Sequence, residues 1–317
     1  MKRYFPKRRL ELNEINQRVR ADVSELIQEE SERYQKEVEK LARNLAVGFD
    51  NHCLVMLSGP SSSGKTTTAL KLCACLKELG IDAHTVSMDD FYRGREQAPR
   101  LENGNYDYEA LEALRLDELE RCMRELIRDG RSWLPRFDFH NGRPSDEMYE
   151  LKISHNSVVI FEGIHAINPY FEQHLPSGNL YKVFINTVSP FFLDDAKIMA
   201  RRNIRLTRRI LRDEKFRNSP VTNTLHMWQQ VVRGENEYMF PYVETVDYLI
   251  DTTHAYEPCV FAPLLLPLLE EVSADNPDSD TVRHLISVLS KFEPVSLDKM
   301  PHDALLREFV GNSTAVI

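Results

Sequence analysis

Apolar residues occur along this chain in two alternating patterns, short continuous runs and longer stretches with helical spacing. Continuous apolar runs lie at residues 54–57 and 158–161, and runs that include polar residues at 83–88, 181–186 and 248–251 also predict strands. Between them, apolar positions recur at steps of three and four, as in Ala69, Leu72 and Leu76 before Gly80. Strands that are buried on both faces of a parallel sheet have continuous apolar runs. The pattern therefore predicts an α/β fold with a parallel sheet and helices on both of its faces.

Two further helical regions flank this alternation, one on each side. From about residue 10 to 47, apolar residues within a highly charged sequence predict one or two amphipathic helices. Their apolar stripe needs a partner, either the core of this chain or a second subunit, and the second case predicts a homo-oligomer. Beyond residue 253 the pattern is helical again. We predict a helical N-terminal arm over 1–50, an α/β domain over 51–255 and a helical C-terminal extension over 256–317.

The first continuous run leads directly into a Gly-x-x-x-x-Gly-Lys-Thr loop and then into a helical pattern. The two glycines permit backbone angles that turn successive N–H groups towards a phosphate chain. The lysine reaches the outer phosphates, the threonine hydroxyl is placed to bind Mg²⁺, and the helix directs its positive end at the same anions. This order of elements predicts a three-layer P-loop NTPase fold. We predict that ATP or GTP binds to Gly59, Pro60, Ser61, Ser62, Ser63, Gly64, Lys65, Thr66 and Thr67.

Acidic residues follow two of the predicted strands. Asp89 and Asp90 come after the second strand, and Glu162 ends the strand at 158–161. Because ligands bind at the carboxyl ends of strands in open α/β sheets, the aspartates lie where a phosphoryl acceptor would be. Glu162 occupies the position from which phosphate-loop proteins hold Mg²⁺, together with Thr66. If the strand continued through the aspartates, their side chains would point to opposite sides of it.

The most basic part of the sequence lies between residues 201 and 217. Four arginines there follow one another at steps of three, four and three, so a helix would place them on one face: Arg202, Arg205, Arg209 and Arg212. In isolation, a solvated, salt-bridged helix face would be the better explanation. Beside a triphosphate loop, they predict an arginine-lined lid at about 193–220 that covers the phosphates.

Residues 133–143 alternate between apolar and polar side chains up to an Asn-Gly pair, which predicts a β-hairpin. Phe137 and Phe139 share one face of its first strand. These two rings either form an aromatic platform for a ligand or pack in the core.

The composition excludes several classes of partner. The formal net charge of −9 provides no overall basic field to attract a nucleic acid. No apolar run approaches the length needed to cross a membrane, and the basic N-terminal residues are not followed by the apolar stretch of a signal peptide. The five cysteines form no C-x-x-C pair and are expected to be buried, reduced thiols. We therefore expect a cytoplasmic protein without nucleic-acid or membrane partners.

Several of these motifs together resemble the uridine kinases of the phosphoribulokinase/uridine kinase family, and most of all their bacterial uridine kinase-like members. The matching segments follow one another in the family's order and lie at 59–68, 89–93, 134–139, 161–163 and 205–213. The pattern continues through residues 234–242 and into 305–309. The resemblance therefore covers roughly residues 54 to 311.

The resemblance implies roles for individual residues. Asp89 matches the general base for the nucleoside 5′-hydroxyl, Glu162 the Mg²⁺-associated acid and Asp107 the ribose contact. The lid arginines that would reach phosphates and substrate are Arg209, Arg212 and Arg217. The residues that would surround the acceptor are Tyr92, Phe137, Phe139 and His140. Two departures concern the base: the family's uridine–cytidine kinases have Tyr at the position of Phe137, and Gly142 stands where they have a base-reading His.

We therefore predict Mg²⁺-dependent phosphoryl transfer from ATP or GTP to the 5′-hydroxyl of a nucleoside, uridine or cytidine first. Lys65, Arg209 and Arg212 would stabilise the transferred group, and Asp89 would accept the proton. Two alternatives remain, a pantothenate- or phosphoribulokinase-like kinase of another small alcohol, and a nucleotide-binding sensor without an acceptor. The sequence lacks the Asn-Lys-x-Asp motif of guanine-nucleotide switches and has an acceptor-side aspartate, which disfavours the sensor.

Overall fold

A computed structural model describes residues 7–47, 53–139, 141–176, 178 and 180–312. Its strands are β1 (Leu10–Glu11), β2 (Cys53–Ser58), β3 (Ala83–Ser87), β4 (Arg131–Asp138), β5 (Arg143–Lys152), β6 (Val158–Glu162), β7 (Leu180–Asn186), β8 (Phe191–Leu193), β9 (Ala196–Met199) and β10 (Tyr248–Asp251). Its helices are α1 (Leu12–Ala46), α2 (Lys65–Glu78), α3 (Leu116–Asp129), α4 (Pro169–His174), α5 (Arg201–Phe216), α6 (Val221–Tyr238), α7 (Glu257–Glu270), α8 (Ser279–Leu289) and α9 (Arg307–Val310).

The centre of the molecule is a five-stranded parallel sheet in the order β10-β7-β2-β6-β3. All five strands come from these runs, and the predicted parallel sheet is confirmed. β2 lies in the middle and is buried throughout its length. In the register of the sheet, Glu162 at the end of β6 stands beside Leu57 on one side and Ser87 on the other. The carboxyl ends of β2, β3 and β6 therefore meet at one edge, where the phosphate loop begins.

The predicted hairpin is also confirmed. β4 and β5 pair antiparallel through a turn at Asn141 and Gly142, and Gly142 has a φ of +64°, a conformation that side chains with a Cβ rarely adopt. A shift of register between Pro135 and Phe137 bends the first strand. At the shifted position, the N–H of Phe137 donates to Asp90 in the turn that follows β3.

The N-terminal arm packs on the core of this chain. α1 consists of two helices that meet at Asp22, which has non-helical angles and whose carboxylate accepts the N–H of Ser24. Val38 and Leu41 are fully buried, in the same cluster as Leu72 of α2. The apolar stripe of the arm thus has an intramolecular partner, and a homo-oligomer through the arm stays a prediction without that support.

The C-terminal helices belong to the same apolar cluster, through Leu265 of α7, Leu285 of α8 and Phe309 of α9. The division of the chain at residues 50 and 255 stays a prediction, since one continuous core joins the three parts. Among the described residues, no helix is long and apolar enough to span a membrane. The five cysteines are free and buried, as expected.

Candidate active site

The phosphate loop connects the end of β2 to the start of α2. Its two glycines are each required, but for different structural reasons. A Cβ on Gly59 would lie 2.5 Å from the carbonyl oxygen of Ile185 on β7, so only glycine allows the loop to pass so close to the sheet. Gly64 has a φ of +94° and is the N-cap of α2. Ser62 also has a left-handed backbone, with a φ of 60°. Alternation of this kind directs backbone N–H groups into one concavity.

The loop carbonyls face outwards, towards the side chains of other elements. The Ser61 carbonyl accepts from Arg205 at 3.0 Å, and the Ser63 carbonyl accepts from the Thr252 hydroxyl at 2.7 Å. In a trans peptide, the carbonyl and the following N–H point in opposite directions. The N–H groups of Ser62 and Gly64 therefore point away from these partners and into the loop, which is the arrangement an anion needs.

Three residues at the start of α2 supply the remaining polar groups of the loop. Lys65 Nζ donates to the Gly59 carbonyl at 3.1 Å, so its charge lies over the loop. The Thr66 hydroxyl lies 3.5 Å from Glu162 Oε1. Thr67 donates both its N–H and its hydroxyl to Glu308 Oε2, at 3.1 and 2.7 Å.

Glu162 is the buried acid of the site. It accepts a hydrogen bond from Ser87 at 3.1 Å. Burial raises its pKa to about 7, although the Lys65 charge acts in the opposite direction, and the Asp89 charge adds to the increase. A carboxylate held in this way gains from a cation beside it.

The oxygen atoms at this edge of the sheet suit a Mg²⁺ ion that binds together with a nucleotide. Thr66 and Glu162 offer hard oxygen atoms, as Mg²⁺ prefers, and this ion commonly takes its other ligands from water and phosphates. Within the described part of the chain, no cluster of three or more His, Cys, Asp or Glu side chains could hold a metal alone. A site made of one acid and one hydroxyl is consistent with that role.

The two acceptor-side aspartates differ in their contacts. β3 ends at Ser87, and Met88–Phe91 forms a 3₁₀ turn, so the strand does not continue through the two aspartates. The Ser87 hydroxyl caps this turn by accepting the N–H of Asp89. Asp90 Oδ1 accepts the N–H of Phe137 at 3.0 Å and so ties the turn to the hairpin.

Asp89 faces the positive groups of the site. Burial raises its pKa, and the charges of Lys65, Arg217 and Arg212 act in the opposite direction. The charges that act on Asp89 thus come from Lys65 at the phosphate loop, from Arg212 on α5 and from Arg217 just after that helix. A carboxylate with a raised pKa, next to the groups that bind phosphate, is suited to accept a proton.

The predicted helix is present as α5, and its arginines divide into two sets by their partners. Arg205 and Arg208, the anchored arginines, are fully buried and paired with Glu235 and Glu257. Arg202 donates to Asn236 at 2.7 Å. Helical spacing could not separate these residues, because the carboxylates that hold two of them come from α6 and α7.

The second set, the site arginines Arg209, Arg212 and Arg217, shares the buried carboxylate of Asp213, with N···O distances of 3.2, 2.8 and 3.6 Å. Arg209 also donates to the hydroxyl of Ser61 in the phosphate loop at 2.9 Å. Of the predicted lid arginines, Arg209 thus contacts the loop, and three guanidinium groups share one carboxylate partner.

Aromatic side chains stand on the acceptor side. The rings of Phe137 and Phe139 are 5.1 Å apart, and Tyr92 lies 6.3 Å from Phe137. Phe139 is 59% exposed, so it is not a core residue. His140 lies outside the described residues. Arg95 packs over Gly142, the position at which the resembled kinases have a base-reading His.

Asp107 is buried and already has protein partners. Its Oδ1 accepts from Arg233 at 2.8 Å and from the N–H of Glu109, and its Oδ2 accepts from Tyr238 at 2.8 Å. It does not cap a helix, since α3 begins at Leu116. Its predicted contact with a ribose stays a prediction.

The sequence reasoning missed the three glutamates that contact the phosphate loop or its arginines: Glu235, Glu257 and Glu308. Glu235 binds Arg205 and also accepts the N–H of Ser61 at 3.0 Å. A signal for Glu235 was present in the family-like segment at 234–242, and for Glu308 in that at 305–309. Neither segment has a chemical motif of its own, because each acts only through contacts with residues distant in the sequence.

The parallel sheet, the phosphate loop and the acids that face it define a P-loop kinase. The chain belongs to the phosphoribulokinase/uridine kinase family, whose sequence profile matches residues 54–256, more than half of the chain. The family resemblance is thereby confirmed.

Individual relatives are distant. The uridine kinase of Saccharomyces cerevisiae is 25% identical over 201 residues, which are 62% of this chain and 36% of that protein. The uridine-cytidine kinase 2-B of Danio rerio is 26% identical over 205 residues, 62% of this chain and 72% of that protein. A solved structure from Bacillus stearothermophilus, described as a possible uridine kinase, is 20% identical and has a TM-score of 0.45, covering 68% of this chain and 98% of that one. The match thus spans little more than a third of the yeast enzyme's length.

Proposed function

We propose that this protein transfers a phosphoryl group from ATP or GTP to the 5′-hydroxyl of a nucleoside, with uridine and cytidine as the first candidates. One observation carries the proposal: Asp89 lies within electrostatic reach of Lys65 and Arg212, at the edge of the sheet where the phosphate loop begins. A proton acceptor and two phosphate-binding cations therefore share one site. The names of the relatives support nucleosides as the acceptor class.

The protein groups act by position and charge, since phosphoryl transfer needs little covalent chemistry from the enzyme. The inward N–H groups of the loop and Lys65 bind the donor phosphates. Arg209 and Arg212 stabilise the charge that spreads over the transferred group. Asp89 orients the acceptor hydroxyl and takes its proton. Mg²⁺, held by Thr66 and Glu162, would neutralise phosphate charge when bound.

On the acceptor side, the aromatic group of Tyr92, Phe137 and Phe139 provides ring faces for a base. Stacking of a base on an aromatic side chain contributes about 1–3 kcal/mol and tolerates different bases. Arg217, and His140 from the sequence resemblance, complete the proposed acceptor site. Closure of the lid at about 193–220 would exclude water during transfer.

The test separates Asp89 from its neighbour. Asp89→Asn keeps the size and removes the basic carboxylate, so single-turnover transfer from ATP to uridine should fall about 10²–10⁴-fold. Calorimetric ATP affinity should change little, because the loop is intact. Asp90→Asn is the matched control: its amide oxygen can still accept the N–H of Phe137, and transfer should stay within a few-fold of wild type.

Full transfer by Asp89→Asn together with loss in Asp90→Asn would reverse the assignment. Tight ATP binding by the wild type with no transfer to any nucleoside would favour a sensor. One observation favours an acceptor other than a nucleoside. Arg233 and Tyr238 of α6 already hydrogen-bond both carboxylate oxygens of Asp107, the residue that the nucleoside proposal assigns to the ribose. ADP release measured with a panel of nucleosides and small alcohols, including pantothenate-like and sugar-phosphate acceptors, distinguishes the two classes.

A further inference from the structure

A glutamate from the C-terminal part of the chain occupies hydrogen-bond donors of the phosphate loop. Glu308 Oε2 accepts the backbone N–H of Thr67 at 3.1 Å and its hydroxyl at 2.7 Å. The first N–H groups of a helix have no partner within the helix, and they are the groups with which a phosphate loop holds its anion. Glu308 is thus a carboxylate placed on donors that a bound phosphate would need.

The backbone around Glu308 is firmly anchored. Leu305 packs against the Cα of Gly64, and Phe309 is buried beneath the guanidinium of Arg208 at 5.1 Å. The buried guanidinium of Arg307 donates to carbonyl oxygens of the preceding segment, those of Leu297, Met300 and Pro301. A half-buried Glu308 side chain therefore stands on a fixed backbone, and it can leave Thr67 by changing rotamer without movement of the segment.

A second glutamate that contacts the phosphate loop, Glu235, shows why the contact of Glu308 is unusual. Glu235 also accepts a loop N–H, that of Ser61, but it forms a buried bidentate pair with Arg205, so its charge is compensated. The negative charge of Glu308 instead acts on the site: it adds to the effects of burial and of Asp89 that raise the pKa of Glu162. A triphosphate entering the loop meets the same charge.

We propose that Glu308 competes with the donor phosphates for Thr67 and thereby lowers the affinity of the protein for nucleoside triphosphates. This inference rests on the proposed use of the phosphate loop by a triphosphate donor. The carboxylate caps α2 while the loop is empty, and it must rotate away before a phosphate takes its place. A purely structural cap would stabilise α2 and leave donor affinity unchanged.

The experiment compares the full-length chain with three variants in calorimetric titrations, with ATP–Mg²⁺ and with inorganic tripolyphosphate as probes. Glu308→Gln keeps the shape and removes the charge, so both probes should bind at least about tenfold more tightly, given that a hydrogen bond to a charged group contributes about 1.5–3 kcal/mol. Glu308→Asp keeps the charge but withdraws it by one methylene, and should tighten binding less. Asp303→Asn is the control, since Asp303 lies on the same segment but pairs with Lys71. It should stay within about twofold of wild type.

Unchanged or weaker binding of both probes to Glu308→Gln overturns the inference, as does tighter binding of ATP alone, which would place the effect at the nucleoside. If Glu308→Gln does not fold, as judged by its thermal melt, Glu308→Asp decides by the same criteria. A uridine-transfer assay of the wild type separates the proposals. If the wild type phosphorylates uridine and the Glu308 variants bind both probes as the wild type does, only the role of Glu308 is rejected. If the Glu308 variants bind both probes more tightly but the wild type does not phosphorylate uridine, only the nucleoside acceptor is rejected. Absence of binding by every form rejects both.

Discussion

The anchored arginines and the site arginines lie on the same helix, α5, and differ in the balance of charge around them. Arg205 and Arg208 each have one buried carboxylate partner, Glu235 and Glu257 respectively, so each pair is neutral. The site arginines share the single carboxylate of Asp213. Positive charge that is left over at a phosphate loop is available for an incoming anion, whereas charge that is fully paired holds helices together. Charge balance, more than helix position, separates the two sets of arginines.

The largest effect is expected from removing an anchored arginine. Arg208→Met leaves Glu257 buried without its partner, which typically costs about 3–5 kcal/mol in the free energy of unfolding. Urea denaturation should show this loss. Adding Glu257→Gln removes the uncompensated charge and should recover most of it. If Arg208→Met unfolds like the wild type, Arg208 is not an anchor and the comparison fails.

The same variant should also respond differently to pH. Burial raises the pKa of Glu257 to about 7, and the Arg208 charge opposes that increase. A carboxyl whose pKa is raised on folding stabilises the folded state while protonated, and this stabilisation is lost as the pH rises. Without Arg208, the pKa of Glu257 rises further. The stability deficit of Arg208→Met should therefore grow as the pH rises from about 5 to about 8, and a deficit that shrinks over this range would contradict the assignment.

The next largest effect is expected on turnover, from the removal of the site arginine Arg212, and not on folding. Arg212→Ala should lower kcat about hundredfold or more, because its charge is needed most when negative charge spreads over the transferred group. ATP affinity and the urea midpoint should stay close to wild type, since Asp213 keeps Arg209 as a partner. Turnover within a few-fold of wild type would mean that the site arginines form only a solvated face.

How much of this site the sequence predicts depends on how far apart in the chain the contacting residues are. The phosphate loop, Glu162 and Asp89 could be singled out because strand, loop and acid are consecutive in the chain, so local patterns carry the signal. The order of the strands along the sheet edge then brings them together. The hairpin was predicted for the same reason, from its alternation and its Asn-Gly turn.

The parts that could not be predicted depend on contacts between distant segments. Arg205 and Arg209 both contact Ser61 of the loop, and what sets Arg205 apart is its pairing with Glu235 on α6. Glu308 reaches Thr67 from 241 positions away in the sequence. The end of β3 could not be predicted either, because the Ser87 hydroxyl ends the strand by capping a turn, a choice that local propensity does not reveal. Side-chain pairs of this kind have no periodicity to detect.

The smallest effect on stability is expected at Arg217, and it sharpens the comparison within the second set. Its side chain is 58% exposed and lies 3.6 Å from Asp213, which keeps two other arginine partners when Arg217 is removed. Arg217→Ala should therefore change the free energy of unfolding by no more than about 0.5 kcal/mol, as exposed ion pairs do.

A matched control is Arg43→Ala, since Arg43 is 61% exposed and lies 3.7 Å from Glu39 on the N-terminal arm. Both variants should unfold like the wild type, but only Arg217→Ala should raise the KM for the acceptor. Equal KM values in the two variants would remove Arg217 from the site, and a loss of stability as large as that of Arg208→Met would show that sharing one carboxylate does not make an arginine dispensable for folding.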